Sequence, residues 1–225
     1  MQYVLSLFSI ILLASCQSPN QSTVSEASLT VEPAALTDTQ KETLDTATFA
    51  GGCFWCTEAV FERVRGVESV VSGYSGGEQP NPTYEDVGAG KTNHAEAVQV
   101  YYNPEQITYP ELVEIFMGTH DPTQLNRQGP DVGKQYRSAI FYRNAKEKAA
   151  IDAYIKESTN AGRFSKPIVT QVVPFQAFYD AEGYHQNYYE NNPNNPYIIS
   201  VTKPKVKKFE KEFADYLKDK AKASS

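Results

Sequence analysis

Gly51-Gly52-Cys53-Phe54-Trp55-Cys56-Thr57-Glu58 places two of the chain's three cysteines and its single tryptophan within four residues. Residues 46–50 before it read as a short strand. After it, Ala59, Val60, Phe61 and Val64 recur at helical spacing, which predicts a helix to Arg65 that stops at Gly66. The cysteines then lie at the mouth of a strand-to-helix turn, where two glycines let the backbone bend. A helix N-terminus carries unpaired N–H groups and partial positive charge, which favour a thiolate. A free cysteine titrates at about 8.5, and such settings bring it to roughly 3.5–7.5. The stretch is therefore where a nucleophilic thiol with a lowered pKa is expected.

Length and composition bound the rest. At 225 residues, with 40% hydrophobic and 12% aromatic side chains, the chain holds one good-sized packed domain plus appendages. The formal charge of −6 gives no reason to expect a nucleic-acid partner. Five acids (Glu26, Glu32, Asp38, Glu42, Asp45) and one lysine (Lys41) lie between Gln17 and Ala47, so the remainder is near neutral. Three cysteines are too few for a disulfide scaffold.

Residues 3–14 form an apolar run with two serines. It falls short of the about 20 residues a bilayer span needs and fits the apolar region of a secretion signal. Leu13-Ala14-Ser15-Cys16 resembles a bacterial lipobox, which implies a signal peptide over 1–15 and lipid on Cys16. No Lys or Arg precedes the run, so the usual basic leader is missing. Residues 16–45, rich in Ser, Thr, Gln, Pro and acids, lack the apolar surface to order themselves and read as a disordered tether behind the acylated N-terminus. The expected location is the bacterial cell envelope, periplasmic in a Gram-negative cell, with a catalytic domain over 46–225 outside the cytoplasm.

Within that domain, 67–74, 95–102, 137–143 and 167–173 read as strands. Thr108-Tyr109-Pro110-Glu111 is a capping box opening a helix with Leu112, Val113, Ile115 and Phe116 on its apolar face. Asn144 with Glu147 starts another. Residues 79–93 and 118–135 read as loops, 175–189 as an aromatic segment, 191–196 as turns and 205–222 as a closing amphipathic helix. This irregular order predicts an α+β fold, a two-layer α/β sandwich with a mixed sheet and a ferredoxin-like core.

On spacing alone Cys53 and Cys56 fit a redox pair or half of a zinc site. The histidines, His94, His120 and His185, show no metal-like pairing, which argues against zinc. The neighbouring segments add a more specific signal. Gly-Cys-Phe-Trp at 52–55 resembles the signature of the peptide methionine sulfoxide reductase A family. The likeness continues through Gly73-Tyr74-Ser75-Gly76-Gly77, Pro82-Thr83-Tyr84 and His94-Ala95-Glu96. It is strongest in His120-Asp121-Pro122-Thr123-Gln124-Leu125-Asn126-Arg127-Gln128-Gly129 and Asp131-Val132-Gly133-Lys134-Gln135-Tyr136-Arg137-Ser138, and it ends with Ala181-Glu182 and Tyr184-His185-Gln186.

The resemblance implies a reductase for the S epimer of methionine sulfoxide, protein-bound or free, that needs no cofactor and no metal. Cys53 would attack the sulfoxide sulfur and be left as a sulfenic acid. Glu96 would supply a proton to the sulfoxide oxygen, which Tyr84 and Tyr136 would hydrogen-bond. Phe54 and Trp55 would wall the S-methyl pocket, with Asp131 and His185 in the substrate pocket. Many family members carry glycine at the position of Cys56 and resolve the sulfenic acid with cysteines near the C-terminus. This chain has no cysteine after Cys56, so Cys56 is the expected resolving thiol and a thioredoxin-like protein the expected reductant.

The residue types suit this chemistry independently. A sulfoxide oxygen leaves only when protonated, so an acid is needed. A carboxyl group among aromatic rings holds its proton more tightly. A methyl on sulfur is recognised by shape and apolar area alone. Each residue also has an ordinary structural reading: Phe54 and Trp55 as core, Glu96 as a solvated strand residue, and any of fifteen tyrosines as packing. Without the likeness, nothing selects Tyr84 over Tyr74. A thioredoxin-type oxidoreductase and a non-catalytic lipoprotein module with a structural disulfide are the competing functions.

Overall fold

The computed structural model describes residues 43–218. Cys16, the signal peptide and nearly all of the tether lie outside them. The chain begins with strand β1 (Asp45–Gly51), helix α1 (Phe54–Phe61), strand β2 (Val67–Ser75), a short helix α2 (Tyr84–Gly88), strand β3 (Ala95–Tyr102) and helix α3 (Tyr109–Thr119). A two-stranded hairpin, β4 (Arg127–Gln128) and β5 (Asp131–Val132), precedes strand β6 (Ser138–Tyr142) and helix α4 (Ala145–Asn160). Strands β7 (Gln171–Pro174) and β8 (Phe178–Asp180), a short helix α5 (Tyr188–Asn191) and helix α6 (Lys203–Glu212) follow.

The main sheet has six strands in the order β7-β6-β1-β3-β2-β8. Its centre, β6-β1-β3-β2, is antiparallel throughout and is threaded β-α-β-β-α-β, the ferredoxin-like pattern. Strand β7 adds parallel to β6 at one edge, and β8 adds antiparallel to β2 at the other, so the sheet is mixed.

Side chains alternate across each strand. On β3, Glu96, Val98, Val100 and Tyr102 share one face, while Ala95 and Ala97 point to the other. The first face carries the principal core, where Phe49 of β1 stacks on Phe61 of α1 and Phe116 of α3 at ring separations of 5.2 and 4.9 Å. The opposite face is built from Ala50, Ala95, Ala97 and Ala139 under Phe141 and Phe178. Glu96 thus lies in register with core valines, and the strand period places its carboxyl under the helices.

Several boundaries differ from the sequence reading. Helix α1 ends at Phe61 rather than Arg65. The Arg63 and Val64 amides bond back only three residues, and Val64 then bridges to Leu217. The Arg65 amide donates to the Tyr216 carbonyl, and Lys218 returns a bond to the Arg63 carbonyl. The same pairing explains why the closing helix is Lys203–Glu212 and not 205–222: a 3-10 turn, Ala214–Tyr216, ends the helical run and Leu217 is extended to reach it. The loop expected at 79–93 contains α2, capped by Thr83. Of the strand expected at 167–173, only Gln171 onward joins the sheet; the Val169 amide donates instead to the Pro122 carbonyl. The expected loop at 118–135 is folded as the β4-β5 hairpin and the start of a 3-10 turn, Lys134–Tyr136.

Candidate active site

The site begins where β1 ends. Gly52 has φ of +94°, and a Cβ there would stand 2.6 Å from the Gln128 side chain, so glycine is required on both counts. The bend delivers Cys53 to the N-cap of α1, with its carbonyl taking the Cys56 amide at 3.1 Å. Cys53 and Cys56 are free thiols, both buried.

Glu96 reaches this turn from β3. Its Oε2 accepts the Phe54 amide at 3.0 Å, so the carboxyl occupies one of the unpaired N–H groups at the helix start. Burial, at 2% exposure, outweighs that bond and pushes the Glu96 pKa up to about 8. Tyr74 faces Glu96 directly on β2 and gives its hydroxyl proton to Glu182 at 2.9 Å. The other Glu182 oxygen accepts the Tyr84 amide at 2.9 Å, which pins the start of α2 over the site.

Aromatic rings enclose the turn. Phe54 stacks on Tyr84 at 6.4 Å, and His185 packs against Tyr84 at 4.3 Å and Phe54 at 5.1 Å. The Trp55 indole N–H donates to His185 Nδ1 at 3.2 Å, and its ring lies flat on Tyr188 at 3.8 Å. Burial holds His185 neutral by lowering its pKa, and its Nε2 is buried without a protein partner. Tyr136, at the end of the 3-10 turn, is made a weaker acid first by burial and then by Glu96, Tyr84 and Cys53, which places its hydroxyl among them electrostatically. Burial, with Glu96 next, raises Tyr84 to about 12. Asp131, from the hairpin, accepts the Tyr197 hydroxyl at 2.5 Å, and Tyr197 meets Trp55 edge-on at 5.8 Å.

One expectation is corrected. The helix start does not lower the Cys53 pKa: burial raises it, with the Cys56 hydrogen bond and then the Glu96 carboxyl adding to the effect, and the Trp55 amide opposing them weakly. The lowered thiol is Cys56, brought to about 6 by the hydrogen bond from Cys53 foremost, against burial, with Lys205 and Thr202 contributing. Cys53, Phe54, Trp55, Tyr84, Glu96, Asp131, Tyr136 and His185 converge on this one turn, and Cys56 lies behind it.

Tyr188 and Tyr197, which pack on Trp55, and Thr202, which meets Cys56 behind the turn, escaped the sequence reading. Tyr188 lies within the aromatic segment and Tyr197 just beyond it, where tyrosine is too frequent for spacing to single one out. The π-helical turn Ile198–Thr202 that carries Thr202 to Cys56 has no sequence signature. Among the described residues, no group of three His, Cys, Asp or Glu side chains is placed to hold a metal ion.

The family model for peptide methionine sulfoxide reductase matches residues 45–217. The chain is similar to the peptide methionine sulfoxide reductase MsrA of Sulfolobus acidocaldarius, 54% identical across 76% of this chain and 97% of that protein. It is also similar to the MsrA of Deinococcus radiodurans, 51% identical over 76% of this chain and 84% of that one. Among solved structures, Mxr1 of Saccharomyces cerevisiae in reduced form aligns with a TM-score of 0.63 and 36% identity, covering 68% of this chain and 88% of that chain. Methionine sulfoxide reductase A of Corynebacterium diphtheriae aligns at 0.61 and 37%, covering 67% and 76%. The chain therefore belongs to the peptide methionine sulfoxide reductase family and is a peptide-methionine (S)-S-oxide reductase.

Proposed function

We propose that this reductase repairs oxidised proteins by the following route. The substrate's S-methyl group enters the Phe54–Trp55 aromatic wall, and its oxygen lies toward Glu96, Tyr84 and Tyr136. Cys53 attacks the sulfur while Glu96, still protonated at neutral pH, gives its proton to the departing oxygen. The transient bond between Cys53 and the substrate sulfur breaks as oxygen passes to Cys53, leaving a sulfenic acid and releasing methionine, and the proton given up by the Cys53 thiol returns Glu96 to its neutral form. Asp131 and His185 orient the pocket through Tyr197 and Trp55. Cys56 then displaces the sulfenic hydroxyl, which leaves as water, and forms the Cys53–Cys56 disulfide. A thioredoxin-like dithiol reduces that disulfide by exchange.

The observation that carries this reading is the Phe54 amide bond, which fixes a neutral carboxyl beside the nucleophile. One equivalent of methionine sulfoxide tests it. The reduced wild-type protein is expected to yield one methionine and a product lacking both thiols. Cys56→Ser is expected to yield one methionine and a protein about 16 Da heavier, the sulfenic acid. Wild type that ends as a sulfenic acid with Cys56 still free would overturn the disulfide step.

The lipobox-like stretch supports attachment at Cys16 to the cell-envelope membrane, with the catalytic domain outside the cytoplasm. One acyl chain binds a membrane marginally and two or more bind stably. Expressed in a bacterium that processes lipoproteins, the wild type is expected in the membrane fraction and Cys16→Ser in the soluble one. Equal partitioning of the two would remove the anchor.

A further inference from the structure

Behind the substrate-facing side of α1 lies a second, smaller constellation. Cys56 is fully buried, and its Sγ stands 3.3 Å from Thr202 Oγ1, itself fully buried. A small cavity beside it is lined by Cys56, Gly51, Thr57, His120 and Lys205. Lys205 projects from the first turn of α6 and is only partly exposed. Thr202 ends the π-helical turn, whose extra residue per turn shifts α6 so that Thr202 meets α1.

We propose that Thr202 and Lys205 are positioning residues for Cys56, holding it as a thiolate ready to attack the oxidised Cys53 sulfur. This rests on Cys56 being the resolving thiol. The step balances without an added reagent. The Cys56 sulfur forms a bond to the Cys53 sulfur, and the Cys53 S–O bond breaks. The hydroxide that leaves takes up the proton that Cys56 released on ionising and becomes water. The sulfenic sulfur is reduced, the Cys56 sulfur is oxidised, and the oxidant is the sulfoxide oxygen already delivered.

The groups facing Cys56 leave these two residues as the source of stabilisation once Cys53 has been oxidised. Glu96, across the helix start, is protonated up to about pH 8. His120 is kept neutral by burial, its pKa near 4, with both ring nitrogens engaged by the Phe116 carbonyl and the Ser138 hydroxyl. Tyr197 has a single hydroxyl proton, which it gives to Asp131. Cys53 as a sulfenic acid no longer presents its thiol. What remains is the Thr202 hydroxyl, which donates to a Cys56 thiolate, and the Lys205 ammonium, the full positive charge in the set. Both favour the charged sulfur.

The test separates the two halves of one turnover. Reduced protein is mixed with one equivalent of methionine sulfoxide across pH 5–9. Methionine and the Cys53–Cys56 disulfide are followed separately by rapid quench and mass spectrometry. The variants are Thr202→Val, Lys205→Met and the double variant, with Lys205→Arg as the conservative replacement and Lys207→Met as an exposed control on the same helix. Thr202→Val and Lys205→Met are each expected to move the midpoint of disulfide formation up by about one pH unit. The double variant is then about fivefold slower at pH 6 but at least as fast at pH 9, because a more basic thiolate is the better nucleophile once formed. Methionine release is expected to stay near wild type, and Lys205→Arg to restore the profile. Disulfide formation with an unchanged pH profile in the double variant overturns the proposal while leaving Cys56 as the resolving thiol. A parallel fall in methionine release overturns it too, since the residues would then support the whole site. Wild type that forms no disulfide removes both this proposal and the reading beneath it.

Discussion

Cys53 and Cys56 stand three residues apart in one helical turn, and the two sulfurs meet opposite surroundings. Cys53 looks toward a strand-borne carboxyl and a ring of aromatics; Cys56 looks toward a hydroxyl and an ammonium on the C-terminal helix. Burial and Glu96 hold a proton on the first, while the second is the easier to ionise. A shared helix N-terminus acts on both, so it cannot account for the difference. Its influence is worth about 0.3–1 kcal/mol at exposed sites, whereas full burial of a charge costs several kcal/mol. Desolvation and immediate neighbours therefore decide which sulfur is acidic. The carboxyl beside Cys53 holds its proton up to about pH 8, as the proposed route requires of a proton donor.

The largest expected effect comes from the first sulfur. Cys53→Ser is expected to abolish methionine formation altogether with any reductant, measured as methionine released from an oxidised peptide. Turnover in that variant would break the contrast, since Cys56 would then be the nucleophile.

Glu96→Gln is expected to lower kcat/KM by about 10²–10⁴, the usual contribution of a positioned proton donor. Its pH profile carries the sharper information. Wild-type activity is expected to fall as pH rises through about 8, where Glu96 loses its proton, and the glutamine variant is expected to lack that fall. A variant retaining the wild-type pH limb would place the titration on another group.

Cys56→Ser keeps Cys53 and Glu96 and puts a hydroxyl in place of the neighbouring thiol. It is expected to complete one turnover at the wild-type rate and then stall when a thioredoxin-like protein is the sole reductant. A small dithiol that reaches the sulfenic acid directly restores turnover. Unchanged steady-state rates with the protein reductant would show that the two sulfurs need not cooperate.

Smallest is the effect of Glu58, on the same helix but turned to neither sulfur. Its carboxyl accepts the Asn187 amide at 3.0 Å and is buried, which raises its pKa to about 8. The unfolded chain loses this proton near the ordinary carboxyl value and the folded chain only near pH 8. Folding stability therefore drops as pH rises between them. Glu58→Gln removes that loss. Its melting temperature is expected to match wild type near pH 4 and exceed it by about 3–6 °C at pH 8, for about 1.5 kcal/mol. A gap that does not depend on pH would mean that Glu58 acts through packing.

Some of these features were open to reading before any fold was known. The strand periodicity of 95–102 is as clear in the sequence as in β3, and the Thr108 and Asn144 caps begin α3 and α4 where their side chains bond the backbone. Local hydrogen bonds and local periodicity set these, so local sequence reports them. The motif order identified the residues around Cys53, although spacing alone left Tyr84 and Tyr74 equivalent. The structure separates them: Tyr74 is spent on Glu182, while no protein hydrogen-bond partner appears for the Tyr84 hydroxyl among the described contacts.

What tertiary structure alone decided depends on contacts between distant segments. Helix α1 stops at Phe61 because residues 216–218 pair with 63–65, and no rule within either segment announces it. Tyr188 and Tyr197 reach Trp55, and Thr202 reaches Cys56, from more than 130 residues away, the last on a π-helical turn. The acidity of Cys53 departs from the sequence reading for the same reason. A helix start is visible in sequence, but a pKa answers to desolvation and to whichever charges folding brings alongside. Sequence by itself placed Cys53 at a strand-to-helix turn, Glu96 in a strand and the chain in the α+β class; the packed fold decided which sulfur is the more acidic, because only there do the two thiols, Glu96, Thr202 and Lys205 acquire their neighbours.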